Sequence, residues 1–123
     1  MHFPLVLAAS VFLLAACRPA LETKLVGEWL SGCSIDVCTI TTLNADRTFS
    51  QKFDEKDLPN EVCSGTWRVD HDQLVLRVTR ADKVLHDLLD KDVRFIISEF
   101  QHDRFIATST EDKTKPLTWE RRE

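Results

Sequence analysis

Four cysteines and four histidines are the side chains of this 123-residue chain best suited to covalent or metal chemistry. Zinc sites gather thiolates and imidazoles, commonly through Cys-x-x-Cys or His-x-x-x-His spacing. Neither spacing occurs, so three thiols with a loop histidine would make a poor metal centre. His71 and His102 sit in Asp70-His71-Asp72 and Gln101-His102-Asp103, which have the composition of exposed turns more than of a catalytic dyad. His86 falls in a stretch of helical periodicity. An enzyme needs a nucleophile, a base and an orienting group held together. The chain has no tyrosine, no Gly-rich phosphate loop and no serine nucleophile motif. Asp54-Glu55-Lys56-Asp57 is a charge cluster without the spacing of an EF-hand. The expectation is a protein with no catalytic residues, no cofactor and no metal.

Cys17 differs in its surroundings. Residues 3–16 are apolar and uncharged. A membrane-spanning helix needs about 20 such residues, so the run reads as the apolar part of a signal peptide. Leu14-Ala15-Ala16-Cys17, which ends it, resembles the lipobox of bacterial lipoproteins. That resemblance implies that residues 1–16 are a signal peptide removed before Cys17. The Cys17 sulfur would carry diacylglycerol and its new amino group a fatty acyl chain such as palmitate. One acyl chain holds a protein to a bilayer only marginally, whereas two or three hold it firmly. Arg18 rather than Asp follows the cysteine. By the sorting habit of enteric bacteria this favours the outer membrane, with the domain in the periplasm. Residues 17–24 then form the lipidated Cys and a tether, reaching roughly 25 Å at most, and residues 25–122 the folded domain.

With Cys17 lipidated, Cys33, Cys38 and Cys63 remain in a compartment that permits disulfides. Three sulfurs allow three single pairings. Cys33 and Cys38 flank a four-residue turn, where opposed hairpin residues come within bridging distance. Cys63 is the rival partner for either.

The elements that must position these residues are strands. Acidic residues outnumber basic ones, 20 against 16, for a net charge of -4. No basic stripe is present, which argues against nucleic acid as a partner. Three Gly and four Pro are too few for a linker-rich or disordered chain. Alternation and turn residues predict strands near 25–30, 38–43, 48–53, 63–69, 73–79, 93–100, 104–109 and 117–121. Over 81–91 the period changes, with Val84, Leu85, Leu88 and Leu89 at helical spacing and Asp82 placed to cap them. The predicted fold is all-β: a small eight-stranded antiparallel up-and-down barrel, with one short helix between strands five and six.

Gly27-x-Trp29, the turn before Thr48-Phe49, Gly65-Thr66-Trp67 and the closing Trp119-Glu120-Arg121 resemble a bacterial lipocalin-like domain of the calycin type. The resemblance implies that Trp29 lies at the closed end of the barrel, under an arginine that follows the last strand, Arg121 or Arg122. Such a cation–π contact is worth about 0.5–2 kcal/mol.

Strand directions alternate, so tight turns at 44–47, 70–72 and 101–103 share one end and the longer segments 31–37, 54–62, 80–92 and 110–116 the other. The long-loop end faces away from the anchor. Loops on a rigid scaffold commonly carry binding. Alternation points Trp29, Ile40, Phe49, Phe53, Trp67, Leu74, Leu76, Phe95, Ile97, Phe105 and Trp119 inward, with Thr42, Gln51 and Glu99 in the same phase. Two functions compete. In the first, a small hydrophobic ligand sits at the long-loop end against Phe53, Trp67 and Leu76, with Gln51 as a polar contact. In the second, the long loops form a protein-binding surface, as in periplasmic inhibitors of proteases or lysozyme, an analogy of fold alone. A cavity of about 300 Å³ or more would fit the ligand; a filled core with an apolar loop patch would fit a protein partner.

Overall fold

The computed structural model describes residues 21–54 and 61–122. Eight strands follow one another: β1 (Gly27–Ser31), β2 (Thr39–Leu43), β3 (Thr48–Phe53), β4 (Glu61–Asp70), β5 (Gln73–Ala81), β6 (Asp92–Ser98), β7 (Arg104–Ser109) and β8 (Leu117–Arg121). Each pairs antiparallel with the next, and β1 closes on β8 through Trp29 opposite Arg121 and Leu30 opposite Glu120. The result is a closed antiparallel barrel, in which no described strand is left with an unpaired edge.

Local chemistry explains the tight turns. The Asp46 carboxylate accepts from the Thr48 amide at 3.0 Å and the Thr48 hydroxyl at 2.6 Å. These bonds, the hydroxyl's first, hold the Asp46 carboxyl below its ordinary value. Arg47 and His71 take left-handed backbone at φ 73° and 59°, which lets the β2–β3 and β4–β5 hairpins reverse within a few residues. The 44–47, 71–72 and 99–103 turns lie at one end, and segments 32–38, 82–91 and 110–116 at the other.

The interior is largely aromatic and aliphatic. Trp29, Leu43, Phe49, Trp67, Leu74, Leu76, Phe105 and Trp119 are all buried in one cluster. Residues opposite one another in an antiparallel pair share a face, so the register fixes the phase of β2. Thr41 lies opposite both Trp29 and Gln51, and Leu43 opposite Phe49, so Thr39, Thr41 and Leu43 point inward. The inward phase expected for Ile40 and Thr42 is therefore wrong. Ile40 is buried, but it pairs with Leu30 and Lys52 in the outward row.

The 81–91 segment also departs from expectation. β5 continues to Ala81, paired with Cys63, and only His86–Leu88 closes a 3₁₀ turn. Asp82 Oδ1 accepts from the amides of Val84 and Leu85 at 3.0 and 3.1 Å. That turn cannot place four apolar residues on one face. Leu85 and Leu88 pack on the core, while Val84 is 76% exposed.

A helical turn forms instead at residues 21–25, ahead of β1 and inside the stretch expected to be tether. Leu25 is fully buried in the core and Leu21 packs against it. The folded unit thus begins at least four residues earlier than the boundary at 25.

On the outer face, Arg68 and Arg77 both meet Asp92, and Arg94 meets Asp70 at 3.2 Å. His71 Nδ1 lies 2.9 Å from the other Asp70 oxygen. His71 first, then Arg94, lowers the Asp70 carboxyl from its ordinary value. These pairs are solvent-exposed and each contributes little to stability.

Candidate functional site

The two ends of the barrel are built differently, and among the described residues the interior space lined by the core opens at the long-loop end. The tight-turn end is sealed by two tryptophan–arginine stacks. Arg121 lies over Trp29 with its guanidinium carbon 4.3 Å from the ring centroid. The same guanidinium donates to three backbone carbonyls, Lys24 at 2.7 Å, Val26 at 3.1 Å and His102 at 3.3 Å. Trp29 Nε1 donates to the Leu25 carbonyl at 2.8 Å. Gly27, at φ 140°, lets this happen: a Cβ there would stand 2.7 Å from Arg121 Nη1. The Gly-x-Trp spacing and Arg121 at the end of β8 are one structural device.

The second stack was not anticipated. Arg47 covers Trp67 at 4.7 Å and forms an ion pair with Glu22. Trp67 Nε1 donates to the Asn44 carbonyl at 2.9 Å. Trp67 therefore belongs to the closed end and not to the ligand site expected to include it. The available signal was the arginine ending one hairpin turn, which the β3–β4 register sets beside Trp67. An open groove of about 600 Å³ runs beside this end between residues 23–26 and 100–102. The Arg121 side chain on its wall is already committed to three carbonyls.

The long-loop end holds an interior cavity of about 240 Å³. Phe49, Phe53, Val62, Leu76, Val78, Leu85, Leu88, Val93 and Phe95 form most of its wall, and Thr39, Gln51 and Cys63 its polar part. Three of the four residues expected to meet a ligand, Phe53, Leu76 and Gln51, are thus brought together. The volume falls short of the 300 Å³ set above, and equals roughly eight water volumes. The 82–91 segment roofs it through Leu85 and Leu88.

A hydrogen-bonded row crosses three strands at one side of this cavity. Gln51 Nε2 donates to Thr41 Oγ1 at 3.0 Å, and the Cys63 thiol donates to Gln51 Oε1 at 3.2 Å. Thr41 is fully buried and Cys63 nearly so. Among the described residues, Trp119 Nε1 is the one buried side-chain polar atom with no partner. Its ring packs edge-on against Phe95, a residue of the cavity wall, at 5.5 Å.

Cys33 and Cys38 form the disulfide, with Cα atoms 4.0 Å apart, and Cys63 is free. The bridge closes a six-residue loop also held by the Ser34 amide donating to the Val37 carbonyl at 2.8 Å. Loop entropy alone makes such a bridge worth about 2 kcal/mol. Ile35, at the loop tip, is 100% exposed. Cys17 lies outside the described residues. Among those described, no three metal-ligating side chains converge.

Burial, then the carboxylates of Glu61 and Asp82, push the Cys63 thiol from 9.0 up to about 11. Between those values the unfolded chain has released the proton and the folded one retains it, so stability falls as pH rises. The expected loss between pH 9 and 11 is up to about 2–3 kcal/mol. Urea denaturation across that range should show it in the wild type and a flatter profile in Cys63→Ala.

No family model matches this chain, and no curated protein matches it in sequence.

Proposed function

We propose that this chain is a bacterial lipoprotein with a lipocalin-like domain, anchored through acylated Cys17 to the cell envelope, with the outer membrane favoured. The domain acts without catalysis and takes a small hydrophobic ligand into the long-loop end of the barrel. One observation carries the reading: an apolar cavity bounded by Phe53, Leu76 and Gln51 at the end of the barrel remote from the N-terminal turn. A ligand pocket is expected to be concave, mostly apolar and supplied with a few polar groups, and this one meets each condition. Its size suits a ligand smaller than a drug molecule. The lipobox-like Leu14-Ala15-Ala16-Cys17 supports the anchor.

The test is mass spectrometry of the protein purified from its own host. The expected mature chain begins at Cys17 and carries acyl mass, and under native conditions a small molecule accompanies it. Leu76→Trp, which fills the cavity, should abolish the small molecule and leave the acyl mass. A mature chain with an unmodified Cys17 removes the anchor. A ligand retained by the filled variant removes the cavity as its site.

A second reading, an inhibitor or interaction module working through the long loops, is favoured by Ile35. A fully exposed isoleucine on a disulfide-pinned loop suits insertion into a partner's pocket. An associated protein in the same preparation, lost on Ile35→Ser, is its expected sign.

A further inference from the structure

We infer that the cavity selects an uncharged molecule of about eight heavy atoms, with an apolar body and one hydrogen-bond acceptor, such as a short ketone or ester, seated on Gln51. The inference rests on the reading of the cavity as a ligand site and specifies what enters it.

The reasoning starts from charge. Among the described residues, none that lines the cavity is charged. A carboxylate or ammonium placed there would lose its hydration with no opposite charge to replace it, a cost of several kcal/mol. At Cys63 the carboxylates of Glu61 and Asp82 disfavour a thiolate after burial has done so, and an anion beside that thiol would meet the same two charges. Both effects exclude fatty-acid carboxylates, although the wall is apolar enough for their chains.

The second step counts hydrogen bonds. A glutamine amide has two N–H donors and an oxygen with two lone pairs. Gln51 uses one donor toward Thr41 and one lone pair toward Cys63. Exchanging the amide's O and N would reverse both roles and still leave one N–H over. Gln51 lines the cavity in either case. With Thr41 on one side and Cys63 on the other, the amide is fixed by two partners before any ligand arrives. A fixed, half-buried amide on the wall of an apolar space loses a partner for its remaining N–H when water is displaced, unless the ligand provides an acceptor. An alkane would strand this N–H, whereas a carbonyl oxygen would satisfy it.

Heptan-2-one, heptane and heptanoate are probes of matched length, titrated against the intact protein at pH 7 by ligand-observed NMR. The expected order is ketone about fivefold tighter than alkane, the difference one neutral hydrogen bond makes, with no measurable binding of the carboxylate. Gln51→Met should bring ketone and alkane to equal affinity. The wild-type comparison stands by itself if that variant does not fold. Heptanoate binding as tightly as the ketone, or an alkane equal to the ketone in the wild type, overturns the selection rule but leaves the cavity as a site. No binding by any of the three overturns both.

Discussion

Gly65→Ala is expected to destabilise the barrel by about 4 kcal/mol or more, a loss reserved for a few mechanisms. Gly65 lies in β4 where the register against β5 slips: Ser64 faces Arg80, but Gly65 faces Val78, and Thr79 is the extra residue. At this bulge β5 runs unusually close. A Cβ on residue 65 would stand 1.8 Å from the Arg77 carbonyl oxygen, 2.9 Å from its carbon and 3.0 Å from the Thr79 nitrogen. All three are backbone atoms, so no side chain can swing aside. Overpacking against movable groups costs typically about 1–3 kcal/mol; here β4 and β5 must separate, and the Thr66–Arg77 and Trp67–Leu76 pairs beside them are strained. Gly32→Ala is the control. It has φ 57° and only Thr39 Oγ1 at 3.8 Å, so the loss there is about 1 kcal/mol, from backbone conformation alone. Urea titration of the two variants should separate them clearly. A Gly65→Ala protein within 1 kcal/mol of wild type would mean that β4 and β5 do not pair in this register.

That glycine shows what could be read from the chain and what could not. Gly65-Thr66-Trp67 stood out as a motif, but the need for glycine comes from a β5 carbonyl twelve positions later. The strands themselves were legible because alternation and turn residues are local signals. Leu74, Leu76 and Val78 recur at every second position, and Asn44-Ala45-Asp46-Arg47 marks a turn by its own side-chain bonds. Phase was less legible where alternation fails. In Thr39-Ile40-Thr41-Thr42 the one large apolar residue drew the inward assignment, yet the register with Trp29 decides the face. Height along the barrel was not legible at all. Phe53, Gln51 and Trp67 share the inward phase, but alternation cannot say that Trp67 sits at the sealed end under Arg47 while the other two line the cavity. The helical turn at 21–25 had a signal in Leu21 and Leu25, one helical turn apart, passed over because polar residues between them read as tether. Over 81–91 the same spacing misled, since a 3₁₀ turn sends Leu85 inward and leaves Val84 in water.

Trp29→Ala is expected to cost about 3–5 kcal/mol, enough to unfold a domain of ordinary stability or to leave it barely folded. Three losses combine. The indole is fully buried, edge-on to Phe105 at 4.7 Å and to Phe100 at 6.4 Å, so its removal opens a void that a closed barrel cannot collapse to fill. The Leu25 carbonyl loses its donor, and the helical turn at 21–25 loses its attachment to β1. Arg121 loses the ring beneath it, although its carbonyl partners at Lys24, Val26 and His102 remain. Trp29→Phe separates these contributions. It keeps most of the volume and a ring for Arg121 but not the N–H, so its cost should be about 1–2 kcal/mol, that of one unmet buried acceptor and a small cavity. Arg121→Met removes the charge and the three carbonyl bonds while retaining an apolar cover, and should fall between the two. If the stack and the carbonyl bonds act as one unit, a cycle that removes the ring, Trp29→Leu with Arg121→Met, will show the double variant costing less than the sum of its parts. Strict additivity would show instead that the arginine holds the 21–25 turn and the 99–103 turn together without help from the ring. The sealed end would then owe its strength to backbone carbonyls gathered around one guanidinium.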